Sequence, residues 1–175
     1  MPVEVNVEAA RWGDPARLAD RAVAAVLAHL GHDPAAYLVS LLACDDARMT
    51  ALNAQFRGQE KPTNVLSWPA EDLSAETDGG APHPPEPGTE EDPAELGDIA
   101  LAYETCAREA AAQGKTHDDH ATHLVVHSVL HLLGYDHIRP EDALLMEETE
   151  IAILVQLGIA NPYEALDGPV DAAEG

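Results

Sequence analysis

The stretch HSVLHLLGYDH, residues 127–137, combines a histidine pair with a helix-ending glycine and a third histidine. His127 and His131 are four residues apart, so on an α-helix their Cβ atoms share one face about 5–6 Å apart. Gly134 is the residue type that ends helices in a left-handed conformation, and the chain can then bring His137 back toward the pair. Three converging imidazoles can bind Zn²⁺ and leave the fourth position open for water, as catalytic zinc sites do. We therefore predict a metal site formed by these three histidines.

Apolar residues surround the histidines on almost every side of the predicted helix: Leu124, Val125, Val126, Val129, Leu130, Leu132 and Leu133. A helix that is apolar all round is a buried one. Buried imidazoles need polar partners, and one shared metal ion would satisfy all three. Separate core histidines, each bonded to a nearby protein group, are the alternative interpretation.

The same histidine and glycine spacing occurs in the metzincin proteases. In those enzymes a glutamate follows the first histidine and acts as the general base. Here that position is Ser128, and a serine hydroxyl cannot accept a proton from water near neutral pH. The sequence therefore disfavours a peptidase.

Hydrophobic periodicity and capping residues predict one α/β (α+β) domain over residues 1–165. We expect a mixed sheet of about four strands surrounded by helices, with the metal site on a helix and its C-terminal turn. The predicted strands are residues 3–8, 36–43, 64–68 and 97–102, and the predicted helices are about 15–30, 46–57, 103–113, 117–133 and 140–157. Thr116, with Asp118 and Asp119, is the expected cap of the histidine helix.

Two segments lack the apolar residues needed to form a core. Residues 70–95 are rich in proline, glycine and acids, and residues 166–175 form an acidic tail. Such compositions bury too little apolar surface to order themselves. We predict a disordered insertion between two strands and a disordered C-terminal tail.

Bulk composition indicates a cytoplasmic protein. Cys44 and Cys106 are too few for a disulfide framework. The N-terminal stretch MPVEVNVEAARWGD has neither the basic start nor the apolar run of a signal peptide. The net charge is −23, with 9 basic and 32 acidic residues, and every charged residue between Lys61 and Arg108 is acidic. Nucleic-acid-binding proteins usually carry a basic footprint, so any affinity for nucleic acid must come from a local patch, the metal and a partner that positions the nucleic acid.

The histidine segment resembles the signature HGxLHLxGYDH of the YbeY family of bacterial single-strand RNA endonucleases. Two further stretches carry the resemblance: residues 52–69, LNAQFRGQEKPTNVLSWP, are similar to the family's LNxxFRGxxxPTDVLSFP, and residues 96–102, LGDIALA, to its LGDI strand. The resemblance spans residues 44–162 in order. It implies a zinc-dependent endoribonuclease acting in ribosomal RNA maturation, at the 3′ end of the small-subunit RNA, and in ribosome quality control.

The resemblance also implies roles for individual residues and partners. Arg57, the arginine of the FRG motif, would be catalytic, because a guanidinium suits bidentate contact with the scissile phosphate; Lys61 would be a weaker phosphate contact. The expected cofactor is one Zn²⁺ per chain, or another divalent ion. The expected partners are single-stranded or ribosomal RNA and ribosomal or small-subunit assembly proteins, with neither membrane nor DNA.

Further residues near the histidines have open roles. His123 and Asp136 are candidates for the outer shell that orients metal ligands, whereas His117 and His120 are expected to be solvated. A metal-dependent hydrolase of another substrate is one alternative function. Another is a non-catalytic ribosome-assembly factor with a structural zinc, which a fourth ligand such as Glu147 or Glu150 would favour.

Overall fold

The computed structural model of this chain describes residues 2–58 and 63–162, with only the backbone of Arg57. Lys61 and the predicted C-terminal tail lie outside the described residues. Among residues 2–58 and 63–162, no helix combines the length and the apolarity needed to cross a membrane.

The described residues form four strands and five α-helices in one sheet-based domain. In chain order they are β1 (Val3–Val7), α1 (Ala16–His29), β2 (Tyr37–Cys44), α2 (Asp46–Arg57), β3 (Val65–Pro69), β4 (Ala94–Ala102), α3 (Tyr103–Ala112), α4 (His117–Leu132) and α5 (Pro140–Gln156). The predicted α/β domain with a four-stranded mixed sheet is confirmed. The boundaries differ from the predicted ones by at most three residues, and differences of one or two residues are common at the ends of elements.

The strands are arranged in the order β1-β2-β4-β3. β1, β2 and β4 run parallel, whereas β3 pairs antiparallel with β4 at the edge. Parallel neighbours need crossover connections, and α1 supplies the one between β1 and β2. Strand β4 contains a bulge, because Leu38 pairs with Glu95 but Val39 pairs with Gly97, which leaves Leu96 as an extra residue.

Helix α4 lies at the centre of the packing. It contacts α1, α3 and α5 as well as strands β3 and β4. Most of its residues are buried, in line with its apolar sequence. A smaller core on the other face of the sheet lies under α2 and is formed by Cys44, Met49, Leu52, Leu66, Ala100 and Ala102.

The caps of α2 and α4 follow the sequence signals. The Asp45 carboxylate accepts a hydrogen bond from the Arg48 N–H at 2.8 Å, and Gly58, at φ 69°, ends α2. At the start of α4 the Thr116 hydroxyl accepts from the Asp119 N–H at 3.1 Å. The predicted cap of the histidine helix is therefore present.

Residues 70–93 connect β3 to β4 without helix or strand, in keeping with their composition. Ala94 and Glu95 were predicted to belong to this insertion, but they lie in β4, because they pair with β2. The insertion is held at several points: the Tyr37 hydroxyl donates to the Pro85 carbonyl, and Leu73 is buried. Its predicted disorder concerns motion and stays a prediction.

Gly97 allows α4 to lie close to the sheet, and we predict that Gly97→Ala is strongly destabilising. Its φ is 142°, and a Cβ there would lie 2.3 Å from the Trp68 carbonyl oxygen and 2.9 Å from Leu132 Cδ2. Backbone strain and overpacking together should cost about 3 kcal/mol or more. Gly114→Ala is the control, because Gly114 has φ 68° but no neighbouring heavy atom within 4 Å, so strain alone should cost about 1–2 kcal/mol. Urea unfolding measures both, and equal losses would contradict the close-packing argument.

Candidate metal centre

The three predicted ligands meet at the C-terminal end of α4. His127 and His131 project from its last turns, and His137 follows on the connection to α5. The ring centroids of His127 and His131 are 4.8 Å apart, and that of His137 is 5.7 and 5.2 Å from them respectively. One nitrogen of each ring lies within 4.8 Å of the other two. Such a spacing allows all three to bind one ion.

A Schellman motif turns the chain so that His137 returns to the helix. The Gly134 N–H donates to the His131 carbonyl at 3.0 Å, and the Tyr135 N–H donates to the Leu130 carbonyl at 2.9 Å. This pair of bonds requires a residue with positive φ at the first position after the cap, and Gly134 has φ 99°. Tyr135 then packs against the main core. The glycine identified in the sequence therefore sets the direction of the turn.

The hydrogen bonds of His127 leave one nitrogen for a metal ion. Its Nδ1 lies 2.8 Å from Glu150 Oε2. A carboxylate accepts only, so Nδ1 carries the proton and Nε2 keeps its lone pair. Nε2 is buried and has no hydrogen-bond partner among the described residues. A buried acceptor without a partner is costly, and a bound metal ion would satisfy it.

Glu150 is a fully buried carboxylate between two imidazoles. Its Oε1 lies 2.5 Å from His123 Nε2, and its other oxygen contacts His127. Burial alone would raise the pKa of the Glu150 carboxyl, but the hydrogen bonds that it accepts from the two rings outweigh burial and hold this pKa well below its usual range. Glu150 is therefore an anion that orients His127 from behind, as outer-shell carboxylates do for metal-binding histidines.

The position of Glu150 bears on whether the site is closed or open. Both of its oxygens face histidines, so it is not aimed at the ion as a fourth ligand. Within the described part of the chain, the residues that could share a metal ion are His127, His131 and His137 alone, and Glu147 is not among them. The arrangement has the three-ligand form of catalytic zinc sites.

Burial also sets the protonation of His131. Its removal from water, followed by the neighbouring His127 and His137 rings, lowers the pKa of His131 to about 4. The ring is therefore neutral near pH 7, which is the form that binds metal.

The other sequence candidates occupy varied positions. The His123 ring lies edge-on to the His127 ring, with the centroids 6.5 Å apart, and its hydrogen bond goes to Glu150. The Asp136 carboxylate accepts from the backbone N–H of His137 at 2.7 Å and not from an imidazole. Ser128 is buried beside His127 and adds no carboxylate there. The side chain of Arg57 lies outside the described residues.

The expected solvation of His120 is wrong. This residue is 2% exposed, and its Nε2 lies 2.8 Å from Glu109 Oε1, which also accepts from Asn64 at 3.0 Å. α3 covers the first turns of α4, so the nearby aspartates do not indicate exposure. His117 is partly covered as well, since its ring centroid is 4.7 Å from that of Tyr103.

Sequence reasoning missed the orienting role of Glu150 and named it only as a fourth ligand. One feature of the sequence could have indicated this role. Glu150 follows Met146 by four residues and precedes Leu154 by four, and both neighbours are buried. A carboxylate on the apolar face of a helix requires a buried partner, and the chain offers a histidine-rich helix as that partner.

Comparison with known proteins gives a consistent family relationship. Residues 6–158 match the family described as Endoribonuclease YbeY. A protein of Ruegeria pomeroyi named Endoribonuclease YbeY is 60% identical over 164 residues, which cover 93% of this chain and 98% of the relative. One of Dinoroseobacter shibae with the same name is 58% identical, covering 93% of this chain and 90% of the relative.

A solved structure shares the fold. The solution structure of a Thermotoga maritima protein matches with a TM-score of 0.54 and 19% sequence identity, covering 89% of this chain and 91% of that one. At this identity the likeness concerns the fold alone, and it supports the four-stranded α/β architecture.

We predict that Glu150→Gln lowers zinc affinity by about 10–100-fold, the usual loss when an outer-shell partner is removed. The amide keeps the side-chain shape but cannot accept from both His123 and His127 as the carboxylate does. Chelator competition measures the affinity, and thermal unfolding shows whether the variant is folded. Glu147→Gln, on the same helix with the same change in charge, is the control. Equal affinities in the two variants would contradict an orienting role for Glu150.

Proposed function

This chain belongs to the YbeY endoribonuclease family, and we propose that it is a zinc-dependent endoribonuclease that cleaves single-stranded RNA. The proposed role is maturation of the 3′ end of small-subunit ribosomal RNA, together with ribosome quality control. The observation that carries the chemistry is the convergence of three imidazoles beside a buried His127 nitrogen that has no hydrogen-bond partner among the described residues.

In this proposal His127, His131 and His137 hold the ion. Zinc, or another divalent ion in its place, supplies a Lewis acid for a phosphoryl oxygen and lowers the pKa of coordinated water. Glu150 keeps His127 in the tautomer whose Nε2 is free to bind. The burial of His131 keeps that ring unprotonated near neutral pH. The protein residues thus supply a three-nitrogen face for the ion.

Arg57 is proposed as the catalytic residue that contacts the scissile phosphate. The support is the FRG motif of residues 56–58 and the end of α2 at Arg57. A guanidinium can stabilise charge that develops at phosphorus through two parallel hydrogen bonds. Lys61, four residues further along the sequence, is proposed as a weaker phosphate contact.

The charge of the chain supports a role for a protein partner. With a net charge of −23, the chain as a whole repels a polyanion such as RNA. We propose that ribosomal or small-subunit assembly proteins hold the RNA near the metal centre, so that affinity does not depend on this surface alone. The proposed setting is the cytoplasm.

Two alternatives are distinguished by the same site. A metal-dependent hydrolase of another substrate would use the same three histidines, but a peptidase lacks support because Ser128 stands where metzincins carry the glutamate base. A non-catalytic assembly factor would need zinc only for stability. Two observations support a catalytic site over a closed structural one. The candidate ligands are three histidines, and both oxygens of Glu150 point at His123 and His127 rather than at the ion.

We predict that His131→Ala abolishes tight zinc binding and RNA cleavage together. The wild-type protein should bind about one equivalent of zinc through nitrogens at about 2.0–2.1 Å. Elemental analysis after dialysis, X-ray absorption and a cleavage assay on short single-stranded RNA give the three readouts. His29→Ala, which removes an exposed histidine of α1, is the control. Full zinc content in His131→Ala would remove this residue from the site, and zinc binding without any RNA cleavage by the wild type would favour the assembly factor.

We predict that Arg57→Ala lowers single-turnover RNA cleavage by about 10²–10³-fold while zinc content and folding stay intact, as expected for loss of one oriented donor at a charged transition state. Arg57→Lys should recover only part of the rate, because a point charge cannot make the two-pronged contact. Arg48→Ala is the control, since Arg48 lies on the same helix in an exposed ion pair with Glu8. Wild-type rates in Arg57→Ala would reduce Arg57 to a surface charge at a helix end, worth about 0.3–1 kcal/mol of stability.

A further inference from the structure

The turn that carries His137 is in contact with the first part of the proline-rich insertion. We call residues 73–79 the anchor segment; they belong to the connection between β3 and β4. The turn comprises residues 133–139, between α4 and α5. The two segments are about sixty residues apart in sequence and meet at both ends of the turn.

At the start of the turn, Gly134 packs directly on the anchor segment. A Cβ at Gly134 would lie 2.5 Å from the Leu73 carbonyl oxygen and 2.6 Å from its carbonyl carbon. Leu73 is itself fixed, since its side chain is 7% exposed and its carbonyl accepts from the His83 N–H at 2.8 Å. The backbones of the two segments are therefore in van der Waals contact at this point.

At the end of the turn, Arg139 binds the backbone of the anchor segment. Its guanidinium donates to the Ala75 carbonyl at 2.9 Å and to the Glu76 carbonyl at 3.3 Å. The Arg139 Nε also lies 2.5 Å from Asp142 Oδ2 on the first turn of α5. One side chain thus joins the turn, α5 and the insertion.

Asp142 completes the connection by a reciprocal pair of hydrogen bonds. Its Oδ1 accepts from the Gly79 N–H at 2.8 Å, and its own N–H donates to Asp78 Oδ1 at 2.9 Å. These bonds use the first turn of α5, where N–H groups have no partner within the helix. The anchor segment therefore caps α5 and is held by it.

Between these two contacts, side-chain packing fixes the turn at Tyr135, which lies against the main core, but not at the residues around His137. His137 is exposed, and Ile138 is 82% exposed. The position of the His137 ring consequently depends on the backbone of the turn, whose two ends are held by the anchor segment.

We propose that the anchor segment positions His137 as the third metal ligand, with Arg139 and Asp78 as the positioning residues. The inference rests on the proposed three-histidine site and assigns a role to part of the insertion. Coupling between the order of the anchor segment and metal binding is reciprocal. If an ordered anchor segment favours metal binding, then metal binding through His137 favours the ordered anchor segment by the same factor.

The first test measures zinc affinity by chelator competition. Arg139→Gln and Asp78→Ala should each weaken zinc binding by about tenfold, the lower end of losses seen for outer-shell changes. Arg21→Gln is the control for the first variant, because Arg21 is an exposed arginine that donates to the Leu157 carbonyl far along the chain. Glu90→Ala, an exposed acid of the same insertion, is the control for the second. Asp78 is exposed, so its variant tests the proposal even where Arg139→Gln does not fold.

The second test measures the reciprocal effect by hydrogen exchange with and without zinc. In the wild type, zinc should slow exchange at the amides of Gly79, His83 and Asp142, whose N–H groups donate within this contact. In His137→Ala, zinc should leave those rates unchanged. The amides of α1 are the internal reference.

The outcomes separate this inference from the proposed function. Affinities equal to those of the controls, or zinc-dependent protection that persists in His137→Ala, would overturn the anchor role and leave the three-histidine site standing. Absence of zinc binding in the wild type would overturn both. Weakened affinity together with protection lost in His137→Ala supports the proposal.

Discussion

Burial of α4 on nearly every side is the constraint on which the site depends. A helix surrounded by α1, α3, α5 and the sheet leaves its inward-facing polar side chains little access to water, so each buried imidazole nitrogen needs a protein or metal partner. The Glu109 carboxylate is hydrogen-bonded to His120, and the Glu150 carboxylate is hydrogen-bonded to His123 and His127. The two carboxylates come from the helices that cover α4. His127 is thus one of a row of buried histidines on α4 whose carboxylate partners come from the surrounding helices.

Local signals explain which features could be predicted from the sequence. The strands, the Thr116 cap and the helix end at Gly134 depend on residues within a few positions of one another, and the structure contains all three. The meeting of His127 and His131 follows from helical spacing. The return of His137 follows from the Schellman motif, which the glycine indicates. Local stereochemistry therefore accounts for most of the convergence of His127, His131 and His137.

Features that depend on tertiary packing were not predictable in the same way. Glu150 meets His127 only because α5 packs beside α4, and periodicity does not say which helices are neighbours. His120 was expected to be solvated since aspartates surround it in sequence, yet α3 buries it. Residues 73–79 contact the turn and α5 mostly through their own backbone atoms. Backbone atoms are the same in every residue, so the sequence of this segment does not indicate the contacts.

The antiparallel pairing of β3 with β4 has a consequence for how this protein can diverge. Antiparallel neighbours need a connection of only a few residues, and lengthening a loop adds little closure entropy, so the sheet sets almost no limit on the length of the segment between Pro69 and Ala94. The turn that carries His137 does limit the length of this segment, through its contacts with residues 73–79. Selection should therefore act unevenly within a single loop. The portion nearest β3 is held to a fixed length by its contacts with Gly134, Arg139 and Asp142. The portion nearest β4, whose Pro85 carbonyl accepts a hydrogen bond from Tyr37, lies outside these contacts and should tolerate more changes in length.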